Sequence, residues 1–359
     1  MFFRMSGISL KQRLALELHR QLIKEQQEKH PLRQLFWECT LRCNLHCRHC
    51  GSDCHISSVG PDMPFEDFRK VLARIKERYD PHHIMVILTG GEPLMRKDLE
   101  KCGREIYGME FPWGIVSNGM LMTPRRIESL LRAGLNAATV SLDGFMQDHD
   151  WMRGVPGSFR HAEEAVRILA AESSVEFDVV TCVNNRNYGT LAEFRDYLVS
   201  LGLRQWRLFT VFPAGRAASE PDLQLDRERF RGLMEFISRT RKEGRIMPSY
   251  GCEGFLGEFE GKVRDHLYTC QAGLSVASVL ADGSISACPS IRSDYHQGSI
   301  YEDDFIDVWE NRFVPYRDRS WMKKGKCGSC RWFRYCEGNG MHLRNDAGEL
   351  MLCHMDRII

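Results

Sequence analysis

The chain has 359 residues, 27% charged and 43% hydrophobic, and its 49 basic and 48 acidic side chains leave a net charge of +1. That length buries one large core plus a smaller module, and that balance leaves no electrostatic footprint for nucleic acid or an anionic membrane. No run approaches the ~20 apolar residues of a membrane span, and the charged N-terminus lacks a small-residue cleavage site, so the chain reads as cytosolic, without a nucleic-acid or membrane partner.

Residues 8–30 form an amphipathic helix with Leu14, Leu18, Leu22 and Ile23 at helical spacing. Strands follow at 34–40, 83–90, 111–119, 137–144, 174–183 and 205–212, with helices between them at 65–79, 123–134 and 158–172. Thr123 before Pro124, and Ser158 before an amphipathic run, suit N-cap positions. Six βα repeats with right-handed crossovers make either an open doubly wound sheet or a partial barrel, which periodicity does not separate. Either way chemistry belongs at the C-terminal strand ends. The polar stretches GGEP (90–93), SNG (117–119) and SLDG (141–144) fall there. Beyond Pro213 a helix over 224–244 leads into a loop-rich region. Within it, 275–289 reads as a hairpin turning at Asp282-Gly283, and 303–311 as a short helix.

Fourteen cysteines are many for such a chain. In a reducing cytosol, clustered cysteines ligate metal or do redox chemistry rather than form disulfides. Five lie between Cys39 and Cys54 and six between Cys270 and Cys353. Cys102, Cys182 and Cys252 stand alone, each by default a small buried hydrophobe. In the first group, Cys43-NLH-Cys47-RH-Cys50 follows a strand on a loop able to wrap an inorganic cluster. Three thiolates on a four-iron cube leave one iron without a protein ligand, open to the amino and carboxylate groups of a small molecule. Zinc, or closure of the cube by Cys54, are the alternatives; structural zinc favours paired C-x2-C units, and only one such pair is present.

This C-x3-C-x2-C spacing, followed by GGEP after the second strand, resembles the signature of the radical S-adenosylmethionine (SAM) superfamily over nearly the whole chain. The resemblance implies an α/β fold, a partial (β/α)6 TIM-like barrel. It also implies a [4Fe–4S] cluster on Cys43, Cys47 and Cys50. SAM bound to the open iron is cleaved by one electron to a 5′-deoxyadenosyl radical that abstracts hydrogen. By the same resemblance Gly90, Gly91 and Glu92 contact the SAM amino group, and Ser117 and Asn118 face the ribose. Ser141 and Arg153 reach the methionyl carboxylate, with Asp143 in support and His49 near adenine.

The second group runs Cys270-x12-Gly283-x4-Cys288, then Cys327-GS-Cys330-RWFRY-Cys336, then Cys353. It resembles the SPASM domain, a small α+β module holding one or two auxiliary iron–sulfur clusters. Gly340 stands where the usual pattern has a cysteine. The resemblance therefore implies a complete site at Cys327, Cys330, Cys336 and Cys353. The other site keeps Cys270, Cys288 and Cys252, and is either open at one iron or degenerate; a zinc ribbon is the alternative for the Cys327 group.

The expected organisation is a helical extension (1–33), the barrel (34–215), a helical bridge (216–265) and the SPASM-type module (266–359). The family's chemistry points first to modification of a peptide or protein substrate, with flavodoxin or ferredoxin as electron donor. Two other readings are a small-molecule enzyme, such as a tetrapyrrole oxidative decarboxylase, and a non-catalytic iron–sulfur electron carrier. Sulfatase-maturing relatives place an Asp directly after the second hairpin cysteine; Pro289 stands there in this chain.

Overall fold

The computed structural model describes residues 8–55, 57, 60–251 and 254–359, so Cys252 lies outside the described residues. Helix α1 (Leu10–Lys29) starts at a capping box in which Ser9 and Gln12 satisfy each other's backbone N–H groups. Its buried face is not the leucine stripe expected from spacing. Leu16 and Ile23 are buried, whereas Leu14, Leu18 and Leu22 are exposed. Polar contacts with the C-terminal region select that face: Gln12 donates to the carbonyls of Glu258 and Glu260, His19 meets Thr269, and Gln26 meets Gln271.

Strand β1 (Gln34–Thr40) leads through the cysteine loop to α2 (Phe65–Arg78) and β2 (Met85–Gly90). Then come α3 (Leu99–Gly108), β3 (Trp113–Ser117), α4 (Pro124–Arg132), β4 (Leu135–Ser141), α5 (Met146–Arg153), α6 (Ser158–Ala171), β5 (Glu176–Val183), α7 (Leu191–Ser200) and β6 (Gln205–Thr210). Thr123 caps α4, its hydroxyl accepting from the Arg126 N–H. At α6 the cap differs from expectation. Gly157, at φ 83°, is the N-cap, and Ser158 is the first helical residue. The Asp150 carboxylate accepts from Gly157 N–H, Ser158 Oγ and Phe159 N–H, so a carboxylate of the preceding helix does the capping.

After β6, α8 (Arg227–Glu243) delivers a seventh parallel strand, β7 (Met247–Tyr250), which the sequence reading leaves out. The hairpin of β8 (Val276–Val279) and β9 (Ser284–Ser286) turns as expected at Gly283, φ 90°. Its β8 pairs in parallel with β1, and β10 (Gly298–Ser299) closes that edge. The result is one ten-stranded sheet in the order β10-β9-β8-β1-β2-β3-β4-β5-β6-β7. It is the mostly parallel α/β sheet of a TIM-like partial barrel.

The two faces of this sheet differ. Outward residues such as Trp37, Val86, Ile115, Val140, Val179 and Leu208 are sealed under helices; Trp37 stacks on Phe68 of α2 at 4.4 Å. Inward residues such as Phe36, Ile87, Val116, Val180 and Phe209 are only half-buried. A curved sheet with a buried outer face and a half-exposed inner face is hollow. Cavities of 450 Å³ at its lower end and 190 Å³ at its upper end occupy the concave side. At the lower end Arg207, Asp178 and Thr139 form a polar network, with Thr139 Oγ1 2.7 Å from Asp178.

Candidate functional site

The site is built where β1 ends and the chain leaves the sheet. The next strand's loop is pressed against that exit: Gly91 N–H donates to the Thr40 carbonyl at 2.8 Å, and Glu92 N–H to that of Arg42 at 2.9 Å. A Cβ at Gly90 would sit 2.0 Å from the Thr40 carbonyl oxygen, and one at Gly91 2.3 Å from that of Arg42. Glycine is therefore required at both positions for close backbone approach. Glu92 is fully buried, and its carboxylate accepts from Ser117 Oγ (2.9 Å), Asn118 N–H (2.7 Å) and Leu94 N–H (3.1 Å). Burial pushes its pKa up to about 6 against those hydrogen bonds. Gly90, Gly91, Glu92, Ser117 and Asn118 thus form one brace joining β1, β2 and β3.

On that brace sits the cysteine loop. Cys43 and Cys47 are buried, Cys50 is half-buried, and all three pack together with Leu45 and Cys54. The loop is tied to α5 by His46 N–H to the Arg153 carbonyl and Arg48 N–H to that of Met152. Arg216 Nε holds the Cys47 carbonyl at 2.7 Å. Two side-chain donors point at the sulfurs, Arg153 Nη1 at 3.7 Å from Cys47 Sγ and Asn118 Nδ2 at 3.9 Å from Cys43 Sγ. Arg153 is balanced by a buried carboxylate, Asp143, at 2.8 Å. Asp143 also accepts from Cys182 N–H at 2.8 Å. Burial raises the carboxyl pKa of Asp143, but Arg153 and the neighbouring histidines bring the net value below the usual range.

The 190 Å³ cavity opens beside these groups, lined by His49, Ser141, Asp143, Arg153, Cys182 and Phe209 among others. Two buried nitrogens, Arg153 Nε and His49 Nδ1, have no hydrogen-bond partner. Desolvation drops the His49 pKa to about 4, so the imidazole is neutral at physiological pH. Donors on sulfur, orphaned nitrogens and an adjoining cavity fit an anionic cluster and a polar, adenine-bearing ligand. Of the residues expected at the SAM site, His49, Ser141, Asp143 and Arg153 line this cavity, whereas Gly90, Gly91, Glu92, Ser117 and Asn118 form the brace beneath the cysteine loop. The sequence reading missed Cys182, Val180 and Phe209. Cys182, taken for a lone buried hydrophobe, is half-buried and lines the cavity; its spacing of two from Val180 and four from Asp178 on β5 was the signal. Cys102, by contrast, is fully buried in the core.

In the C-terminal region Cys327, Cys336 and Cys270 are buried and Cys288, Cys330 and Cys353 half-buried. Cys336 lies within the electrostatic reach of Cys353, Cys327 and Cys330, and Cys288 within that of Cys270. Burial pushes Cys336 up to about 12. At Cys270 burial acts the same way, but Arg319 reverses it and the pKa is lowered. Gly340 has φ −63°, an ordinary conformation, so no backbone demand explains glycine there. Among the described residues no three His, Cys, Asp or Glu side chains close around a point as a single tetrahedral ion requires.

Comparison with known proteins agrees with this geometry. Residues 37–198 match the Radical SAM superfamily model and residues 270–332 the SPASM iron–sulfur cluster-binding domain. The chain belongs to the radical SAM superfamily and carries a C-terminal SPASM domain, and its cofactors are iron–sulfur clusters and SAM. It is 28% identical to the AdoMet-dependent heme synthase of Methanosarcina barkeri, over 85% of this chain and 90% of that protein. It is 27% identical to the mycofactocin maturase MftC of Mycolicibacterium smegmatis, over 86% of this chain and 77% of that one. SuiB of Streptococcus suis, solved with S-adenosylmethionine, shares the fold at a TM-score of 0.67 and 16% identity, covering 92% of this chain and 79% of SuiB. No helix among the described residues is long and apolar enough to cross a membrane.

Proposed function

We propose that this radical SAM enzyme oxidatively decarboxylates a carboxylate-bearing tetrapyrrole: a side-chain hydrogen atom goes to the 5′-deoxyadenosyl radical, carbon dioxide leaves, and the remaining electron passes to an iron–sulfur cluster. The observation that carries this reading is the nearly end-to-end match to a heme synthase. It reverses the order of the sequence reading, which puts a peptide or protein substrate first. The concave face supports it. Phe36, Ile87, Val116 and Phe209 offer apolar surface to a flat macrocycle along the concave face.

In this reading Cys43, Cys47 and Cys50 hold the catalytic cluster. When bound, the cluster and SAM supply one-electron reductive chemistry and hydrogen abstraction. Arg153 presents its free Nε to the SAM carboxylate while Asp143 keeps it fixed and charge-balanced. His49, neutral, packs on the adenine side, and Ser141 lines the same wall. Ser117 and Asn118 hold the floor in place through Glu92. Val180 and Phe209 exclude water from the reacting carbon.

The test is anaerobic incubation of reduced, reconstituted enzyme with SAM and iron coproporphyrin III, followed by mass spectrometry. The expected result is substrate-dependent loss of carbon dioxide and hydrogen from the porphyrin. Deoxyadenosine formed with the porphyrin unchanged contradicts the reading. The match to MftC keeps a peptide as the second reading, and a peptide product under the same conditions would establish it.

A further inference from the structure

We propose that Arg319 and Arg344 are buried counter-cations of two anionic iron–sulfur sites, so that both cysteine sets of the C-terminal region carry clusters, including the one without a cysteine at Gly340. The inference rests on the family's cofactors and is independent of the substrate.

Arg344 is 2% exposed and Arg319 5%. Arg344 donates to the carbonyls of Gly338 (3.0 Å) and Gly348 (2.9 Å), and its Nη2 lies 3.4 Å from Cys327 Sγ. Arg319 donates to the carbonyls of Tyr316 (3.0 Å), Asn339 (3.4 Å) and Cys270 (3.1 Å). Among the described residues neither has a carboxylate within ion-pair distance, unlike Arg153 with Asp143 or Arg96 with Asp98; Glu337 acts on Arg319 only from beyond that distance. Carbonyls satisfy N–H groups but bring no net charge. A guanidinium left in that state costs several kcal/mol. A neutral thiol is a weak acceptor and does not compensate it. The neighbouring cysteines supply the missing charge only as thiolates, which they become on binding metal. Arg344 stands beside the complete set and Arg319 beside Cys270 of the incomplete one. The same charge argument therefore covers both, and it sets aside the degenerate account of the first site.

The test combines metal analysis with EPR-monitored redox titration of the reconstituted protein and its Arg344→Gln, Arg344→Lys, Arg319→Gln and Arg319→Lys variants. Wild type should hold iron and sulfide beyond the about eight irons of the two complete cysteine sets, with no zinc. Removing a fixed positive charge disfavours the more negative, reduced cluster. Each Gln variant should therefore lower the midpoint potential of one auxiliary signal, or lose that site's iron, while its Lys partner keeps most of both. The signal that depends on Cys43, Cys47 and Cys50 should not move. Iron stopping at about eight overturns the claim for Arg319, and zinc in place of iron overturns it for either site. Gln and Lys variants behaving alike, whether both intact or both depleted, overturn the counter-cation role and leave these arginines as loop ties alone.

Discussion

Arg153 and Arg344 are both buried next to a cysteine sulfur, at 3.7 and 3.4 Å, and the two regions balance them differently. The barrel brings its own carboxylate, Asp143, and sets it among core residues sealed by helices. Among the described residues the C-terminal region brings Arg344 only carbonyls. Its scaffold is correspondingly thin: between Ser320 and Cys353 the longest helix among the described residues is Phe333–Cys336, and the only pairing is an isolated bridge at Arg344 and Leu350. A domain that balances its charge internally is formed before its cofactor arrives, whereas one that does not is completed by it.

Stripping the metal breaks this comparison most severely. Chelation under reducing conditions should leave β1–β7 protected from hydrogen exchange while the segment 320–353 loses protection. Equal retention in both regions would show that the C-terminal loops hold themselves. Next in size is the barrel pair. Asp143→Leu leaves Arg153 buried and uncompensated, and should cost about 3–5 kcal/mol in denaturant unfolding. The double variant Asp143→Leu/Arg153→Met should recover most of that loss. An additive double variant would place the effect in packing rather than charge.

Much of this was legible because the barrel strands announce themselves locally. QLFW alternates between a sealed outer face and an open inner one, as a strand of a hollow sheet does, before Glu38, Cys39 and Thr40 are all buried where the strand enters the site. β7 was not legible: MPSY is short, contains Pro248, and takes its meaning from β6 beside it. The parallel pairing of β8 with β1 joins segments more than two hundred residues apart, beyond any local pattern. Spacing on α1 picked out Leu14, Leu18, Leu22 and Ile23, but tertiary polar contacts bury the face of Leu16 and Ile23 and leave the three leucines exposed. At the site, the cysteines and GGEP were visible through resemblance. Arg319 and Arg344 carry no motif, and only burial without a carboxylate marks them.

A smaller effect sharpens the barrel side. His149 is fully buried, its Nδ1 accepting from the Asp143 N–H at 3.0 Å. Burial lowers its pKa from 6.5 to about 4. The unfolded chain therefore takes up this proton first, and stability falls as pH drops from about 6.5 to about 4. His149→Asn keeps an acceptor but does not charge, so it should flatten that slope by about 3 kcal/mol across the window. Denaturation midpoints measured against pH check this; an unchanged slope removes His149 from the acid response.

The central claim is that one cysteine triad in the barrel does the SAM chemistry while a separate region holds its own clusters. The direct measurement is 5′-deoxyadenosine formation, with iron content, in the reduced Cys43→Ala/Cys47→Ala/Cys50→Ala variant. The account predicts that SAM cleavage is abolished while auxiliary iron and its visible absorbance persist. Continued cleavage, or loss of all iron together, would contradict it.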